Sequence, residues 1–158
     1  MSETHHYLIA IGSNVRHPKV GNPRAVVRFT IAALEDAGLY FEAASSIVDS
    51  RPVGPSRRAY ANAVVRVKTD LEPERLLRLL QDIESSAGRV RRGQPWRARV
   101  LDLDIILWDG GAYSSPDLQI PHPLFRERDF VLHPAAQIAP GWRDPVTGRT
   151  LRQLAARR

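Results

Sequence analysis

The sequence predicts an α+β fold, a βαββαβ sandwich with an irregular C-terminal extension, on the strength of three observations. Runs of alternating apolar residues take turns with segments of helical period. Asn, Pro and Gly stand where one pattern gives way to the other. The six segments come in the order strand, helix, strand, strand, helix, strand.

The first strand is the apolar run Tyr7 to Ile11, ended by Gly12-Ser13-Asn14, a strand-to-loop signal. Asn22-Pro23 then pairs an N-cap residue with proline at the first helical position. Helix one is expected to run to Ala37, with Val26, Phe29, Ala33 and Leu34 on its buried face and Gly38 just past its end. Residues 40 to 50 read as a second strand, broken by Pro52, Gly54 and Pro55. From Tyr60 to Lys68, Ala61, Ala63, Val65 and Val67 alternate with Tyr60, Asn62, Val64 and Arg66, which predicts a third strand with one core face. Helix two begins near Pro73, is amphipathic through Leu76, Leu77, Leu80, Ile83 and Ala87, and stops at Gly88. An arginine-rich loop leads into the last strand, which carries Asp102 and Asp104. This order is the split βαβ arrangement of ferredoxin-like folds, with two helices on one sheet face and the other face left for ligands. Beyond Asp109 the chain is punctuated by proline, with short helices expected at Phe130 to Ile138 and Leu151 to Ala156.

The chain has 158 residues, about one domain, and is read as a single unit spanning 1–158. Its net charge of +6 rests almost wholly on arginine, since Lys19 and Lys68 are the only lysines. Such a balance favours an anionic partner without choosing between nucleotide, nucleic acid and membrane surface. Cysteine is absent, which excludes disulfides, thiolate metal sites and thiol nucleophiles. No N-terminal stretch resembles a signal peptide, and no apolar run approaches the roughly 20 residues that span a bilayer. A cytoplasmic monomer is the expectation.

The segment Arg89 to Asp104, RVRRGQPWRARVLDLD, carries the most chemistry. Arg89, Arg91, Arg92, Arg97, Arg99 and Trp96 crowd a loop broken by Gly93 and Pro95, and that loop abuts the two carboxylates. Alternation puts Asp102 and Asp104 on one strand face, about 7 Å apart, with Leu101, Leu103 and Ile105 on the other. Two carboxylates so placed repel unless a cation sits between them. A hard divalent ion fits there, and neighbouring arginines suit the phosphates that such an ion accompanies. The plainer alternatives are a solvated Asp-x-Asp pair and a solvated basic stretch. Trp96 argues for a surface that closes on something, and the flanking glycine and proline permit a lid. Tyr60 and Asn62 share a strand face. Tyr60 alone is more often packing than a stacking platform, whereas the Asn62 amide suits the edge of a heterocycle. His122 lies between Pro121 and Pro123 without a second histidine at ligand spacing, so it is not read as a zinc site. Neither a Walker A sequence nor Gly-x-Gly-x-x-Gly occurs, so any nucleotide must be held by other means.

Several short motifs follow one another in order: Ile11-Gly12-Ser13-Asn14, Pro52-Val53-Gly54, Tyr60-Ala61-Asn62-Ala63, and Glu84 with Gly88-Arg89-Val90-Arg91. After them come Trp96, Arg99, Leu101-Asp102-Leu103-Asp104-Ile105, Pro121-His122-Pro123, and Arg128 with Phe130-Val131-Leu132. In these residues the chain resembles the 6-hydroxymethyl-7,8-dihydropterin pyrophosphokinases of folate biosynthesis, over essentially its whole length. The resemblance implies a ferredoxin-like fold and attack of the pterin hydroxymethyl oxygen on the β-phosphorus of ATP, with release of AMP. It further implies that Asp102 and Asp104 hold two Mg²⁺ ions and that Arg89 and Arg99 act with them in catalysis. Tyr60 and Phe130 would sandwich the pterin; Asn62, Ser50, Val53 and Gly54 would meet its edge, Asn14 would order the pocket, and Trp96 would close over it. Gln81, Glu84, Arg91, Arg92, Trp96, Arg99, Ile105, His122 and Arg128 would bind ATP. The chain departs from the family's usual pattern at Pro95, at Arg97-Ala98 and at Arg57-Arg58-Ala59. An RNA-binding domain of the same element order is the rival from another class. Such domains carry an aromatic cluster on the third strand, where this chain has the single aromatic Tyr60. The expected partners are therefore ATP and the pterin, with no nucleic acid and no membrane.

Overall fold

The computed structural model describes residues 3–50, 60–88 and 100–158. Its elements are β1 (His5–Ser13), α1 (Pro23–Asp36), β2 (Tyr40–Ala44), β3 (Val48–Ser50), β4 (Tyr60–Thr69), α2 (Pro73–Ser86) and β5 (Asp102–Trp108). A hairpin of β6 (Tyr113–Ser114) and β7 (Gln119–Ile120), a 3-10 turn (Phe125–Glu127), α3 (Asp129–Ile138) and α4 (Leu151–Ala156) follow. The main sheet is antiparallel, in the order β2-β4-β1-β5, with β3 continuing the β2 edge along β4.

The signals at the helix ends work as the residue types dictate. The Asn22 side chain accepts from Ala25 N at 2.9 Å and Pro23 opens α1, while Gly38 (φ 101°) follows its end. The buried face of α1 differs from the expected one. It consists of Val26, Val27, Thr30 and Leu34, and Phe29 is 60% exposed. The expected second strand divides in two, because Ser45 interrupts it. Ser45 N donates to Val64 O, and the Ser45 hydroxyl accepts from Val64 N, each at 2.9 Å. The hydroxyl thus stands in for a strand carbonyl between β2 and β3.

The single core face expected for the third strand, with the opposite sheet face left to ligands, is corrected by the packing. One core lies between the sheet and α1 and α2. Tyr7, Ile9, Ile11, Ala63, Val65, Val67, Leu103 and Ile105 meet Val26, Val27, Leu34, Leu76 and Leu80 there. A second core lies on the other face, where Leu8, Ala10, Val64, Ile106 and Leu107 meet Phe125, Val131, Leu132, Ala135, Leu151 and Leu154. The C-terminal extension is therefore a covering layer. A β-bulge permits this: Ile9 pairs with Ile105 but Leu8 with Leu107, so Ile106 is an extra residue and both Ile106 and Leu107 turn toward the second core. The bulge also returns Trp108 to the first face, where it stacks on Tyr7 with ring centroids 5.6 Å apart. Among the described residues, the end of the sheet that α3 and α4 do not pack against carries Gly12, Asn62 and Asp102, of which Gly12 and Asn62 are themselves buried and Asp102 is partly exposed.

Candidate active site at the uncovered end of the sheet

Strand register assembles the site. Gly12 of β1 pairs with Asn62 on one side and with Asp102 on the other; two residues back, Ala10 pairs with Val64 and with Asp104. Since i and i+2 share a face, these rows look the same way. Two small residues thus separate an amide from a pair of half-buried carboxylates; at Gly12 this leaves a trough, whereas Ala10 and Val64 lie under the second core. Space above Gly12 is tight: a Cβ there would lie 3.1 Å from Asn62 Oδ1 and 3.6 Å from the Tyr60 ring. In the sequence Gly12 reads as the end of a strand and as part of the Ile11-Gly12-Ser13-Asn14 motif, and nothing there marks it as a site residue.

The Asn62 amide is oriented. Its Nδ2 donates to Ser50 Oγ at 2.9 Å, which leaves Oδ1 on the Gly12 side. Ser50 pairs with Tyr60, so Ser50, Tyr60 and Asn62 share the trough face. Asn14 is buried where the chain leaves β1. A cleft of about 680 Å³ opens between β3 and the start of α3, lined by Asp49, Ser50, Arg128, Phe130 and Pro134 among others. The Arg128 guanidinium lies 6.0 Å from the centre of the Phe130 ring. Ser46 N and Oγ both donate to Gln137 Oε1 at 3.2 Å and hold α3 against this edge.

On the carboxylate side, His122 N donates to Ile106 O at 3.0 Å, which ties the Pro121-His122-Pro123 segment to β5. Leu124 N donates to His122 Nδ1 at 3.1 Å, so Nδ1 is an acceptor and the neutral ring carries its proton on Nε2. Burial pushes the imidazole below its usual range, Asp104 opposes that, and Arg128 adds to it. His122, Asp104 and Arg128 are therefore near enough to feel one another's charge. Glu84 of α2 is 5% exposed, and its carboxylate accepts from Leu103 N at 2.8 Å, between the two aspartates along β5.

The fold thus gathers Ser50, Tyr60, Asn62, Asp102, Asp104, His122, Arg128 and Phe130 around the trough and its flanking cleft. Gln81 is exposed on α2, and the Ile105 side chain is committed to the first core. Val53, Gly54, Arg89, Arg91, Arg92, Trp96 and Arg99 lie outside the described residues. Asp102 and Asp104 offer only oxygen donors, both partly exposed on the open face, and such a set suits a hard divalent cation.

Known proteins with this sequence pattern point the same way. The family model for 7,8-dihydro-6-hydroxymethylpterin-pyrophosphokinase (HPPK) matches residues 8–140. A Synechocystis 2-amino-4-hydroxy-6-hydroxymethyldihydropteridine pyrophosphokinase is 37% identical over 153 residues, covering 96% of this chain and 75% of its own. The Pseudomonas aeruginosa protein of the same name is 38% identical over 149 residues, covering 94% and 88%. In fold, the chain is similar to wild-type Plasmodium falciparum HPPK-DHPS solved with pteroate, with a TM-score of 0.76 at 13% identity. That alignment covers 99% of this chain, which spans 45% of the Plasmodium one. The chain belongs to the 7,8-dihydro-6-hydroxymethylpterin-pyrophosphokinase family.

Proposed function

We propose that this protein transfers pyrophosphate from ATP to 6-hydroxymethyl-7,8-dihydropterin, giving AMP and the pterin diphosphate of folate biosynthesis. Read this way, the fold is a ferredoxin-like sandwich, a reading supported by its βαββαβ order and the sheet order β2-β4-β1-β5, and residues 1–158 act as one pyrophosphokinase domain. The observation that carries the reading is the pair of rows across the sheet, Asn62-Gly12-Asp102 and Val64-Ala10-Asp104. They set a heterocycle-recognising amide across a glycine floor from an acidic pair.

In this reading the pterin lies over Gly12 between Tyr60 and Phe130, its edge donors meeting Asn62 Oδ1 and the Ser50, Val53 and Gly54 segment. The acceptor hydroxyl is thereby aimed at the carboxylate side. Its oxygen forms a bond to the β-phosphorus as the bond from that phosphorus to the α-phosphate oxygen breaks; AMP leaves with the electron pair, and the hydroxyl proton goes to solvent. Alignment is the main device, because a phosphoryl centre attacked in line needs positioning and charge neutralisation and no covalent intermediate. Two Mg²⁺ ions held by Asp102 and Asp104 would supply charge neutralisation at the phosphates. Neutral His122, with Nε2–H as donor, and Arg128 bind ATP with Gln81, Glu84, Ile105, Arg91 and Arg92. Arg89 and Arg99 neutralise the transferring group and Trp96 closes over it. The protein works as a cytoplasmic monomer with no nucleic acid or membrane partner; among the described residues no helix is long and apolar enough to cross a membrane.

The test is AMP formation from ATP in the presence of Mg²⁺ and 6-hydroxymethyl-7,8-dihydropterin. AMP released in proportion to pterin consumed is expected. Pterin-independent AMP, or ADP as the product, would sink the assignment.

A further inference from the structure

The opposite end of β1 holds a second cluster of charged groups. Glu3, His5 and Glu72 each place one donor atom within 4.8 Å of the other two. Glu3 and His5 are two apart along the chain where it enters β1, while Glu72 comes from the N-terminal end of α2. Glu72 is the N-cap residue of α2, yet its carboxylate caps no helix amide. It lies instead 3.1 Å from His5 Nε2. The His5 ring is nine-tenths buried, and its other nitrogen, Nδ1, lies 3.8 Å from Asp109 Oδ1. An imidazole with one nitrogen among carboxylate donors and the other backed by a further carboxylate is how ligating histidines are oriented.

We propose that Glu3, His5 and Glu72 form a binding site for a borderline divalent transition ion such as Zn²⁺, with Asp109 orienting the imidazole. Metal–ligand bonds of about 2.0–2.1 Å place the donors of a tetrahedral ion about 3.3 Å apart. The 3.1 Å between His5 and Glu72 needs only slight widening to meet that spacing. Three carboxylates around one imidazole also concentrate negative charge on a chain whose net charge is +6. An ion with affinity for both nitrogen and oxygen ligands is selected here over Mg²⁺, which prefers an all-oxygen octahedron. The site is independent of the proposed transfer chemistry, since His5 and Gly12 are separated along β1 by about 23 Å of strand.

Isothermal titration with Zn²⁺ in excess Mg²⁺ tests the proposal. One equivalent should bind without displacement by Mg²⁺. Glu72→Gln, at a well-exposed side chain that can be changed without loss of fold, and Glu3→Gln should each weaken binding by at least about tenfold. Asp102→Asn should leave it unchanged. Failure to bind Zn²⁺, equal affinity in the Glu72→Gln and Glu3→Gln variants, or loss of binding in Asp102→Asn would each overturn it.

Discussion

Gly12 illustrates how much one residue can decide without a side chain. Its pairing partners Asn62 and Asp102 arrive from distant parts of the chain, so nothing near position 12 marks it as the floor of a trough. Gly12→Val would push side-chain carbons into the space beside Asn62 Oδ1. Steady-state kinetics should show the pterin KM raised by about tenfold or more, equivalent to about 1.4 kcal/mol, with circular dichroism unchanged. Asp102 and Asp104, by contrast, were legible, because their common face follows from strand alternation alone. Asp104→Asn keeps the size of a side chain on the open face and should lower kcat by at least about 10²-fold while leaving the melting temperature nearly unchanged. Glu84 is a different case. Its proposed role is in binding ATP, but its carboxylate also satisfies the main chain of β5 at Leu103. Glu84→Ala strands a buried N–H and should cost about 1–3 kcal/mol in denaturant unfolding, whatever it does to turnover.

At the scale of elements, local chemistry set the boundaries and packing set the faces. Asn22, Pro23 and Gly38 bracket α1 as their residue types predict, because capping depends on the backbone within one turn. Asn22→Ala should therefore cost about 1 kcal/mol in chemical unfolding. Which stripe of α1 is buried was less legible. Val26 and Leu34 fit a stripe with Phe29 or one with Val27 and Thr30, and the sheet takes the second. Phe29→Gln, at an exposed position, should change stability by no more than about 0.5 kcal/mol. The division of the second strand was not legible either, since it depends on the Ser45 hydroxyl reaching Val64 N on another strand.

Across the whole molecule, the covering of the second sheet face organises everything else. The segment carrying α3 and α4 is pinned by Asp144, fully buried, which takes two hydrogen bonds from the Arg126 guanidinium and one each from Val146 N and the Thr147 hydroxyl. Burial alone would raise the Asp144 pKa, but those donors together hold its carboxyl below the usual carboxylate range. A carboxyl whose folded value is depressed stabilises the fold fully above its unfolded pKa of about 3.9 and loses that contribution as pH falls through the folded value. Thermal melts from pH 7 downward should thus show an acid-side loss below about pH 4 that is shallower in Asp144→Asn. That variant should be less stable at neutral pH by about 3 kcal/mol, because it deprives a partly buried guanidinium of its counter-charge. The sequence by itself determined the order of strands and helices, most of their ends, and the grouping of Asp102 with Asp104, since each follows from backbone geometry and period within a few residues. Only the tertiary structure decided that the C-terminal extension packs on the second sheet face, that a bulge at Ile106 turns β5 to meet it, and that Gly12 separates Asn62 from the aspartates. Those outcomes depend on which distant apolar surfaces bury one another and on strand register, and neither is encoded in local periodicity.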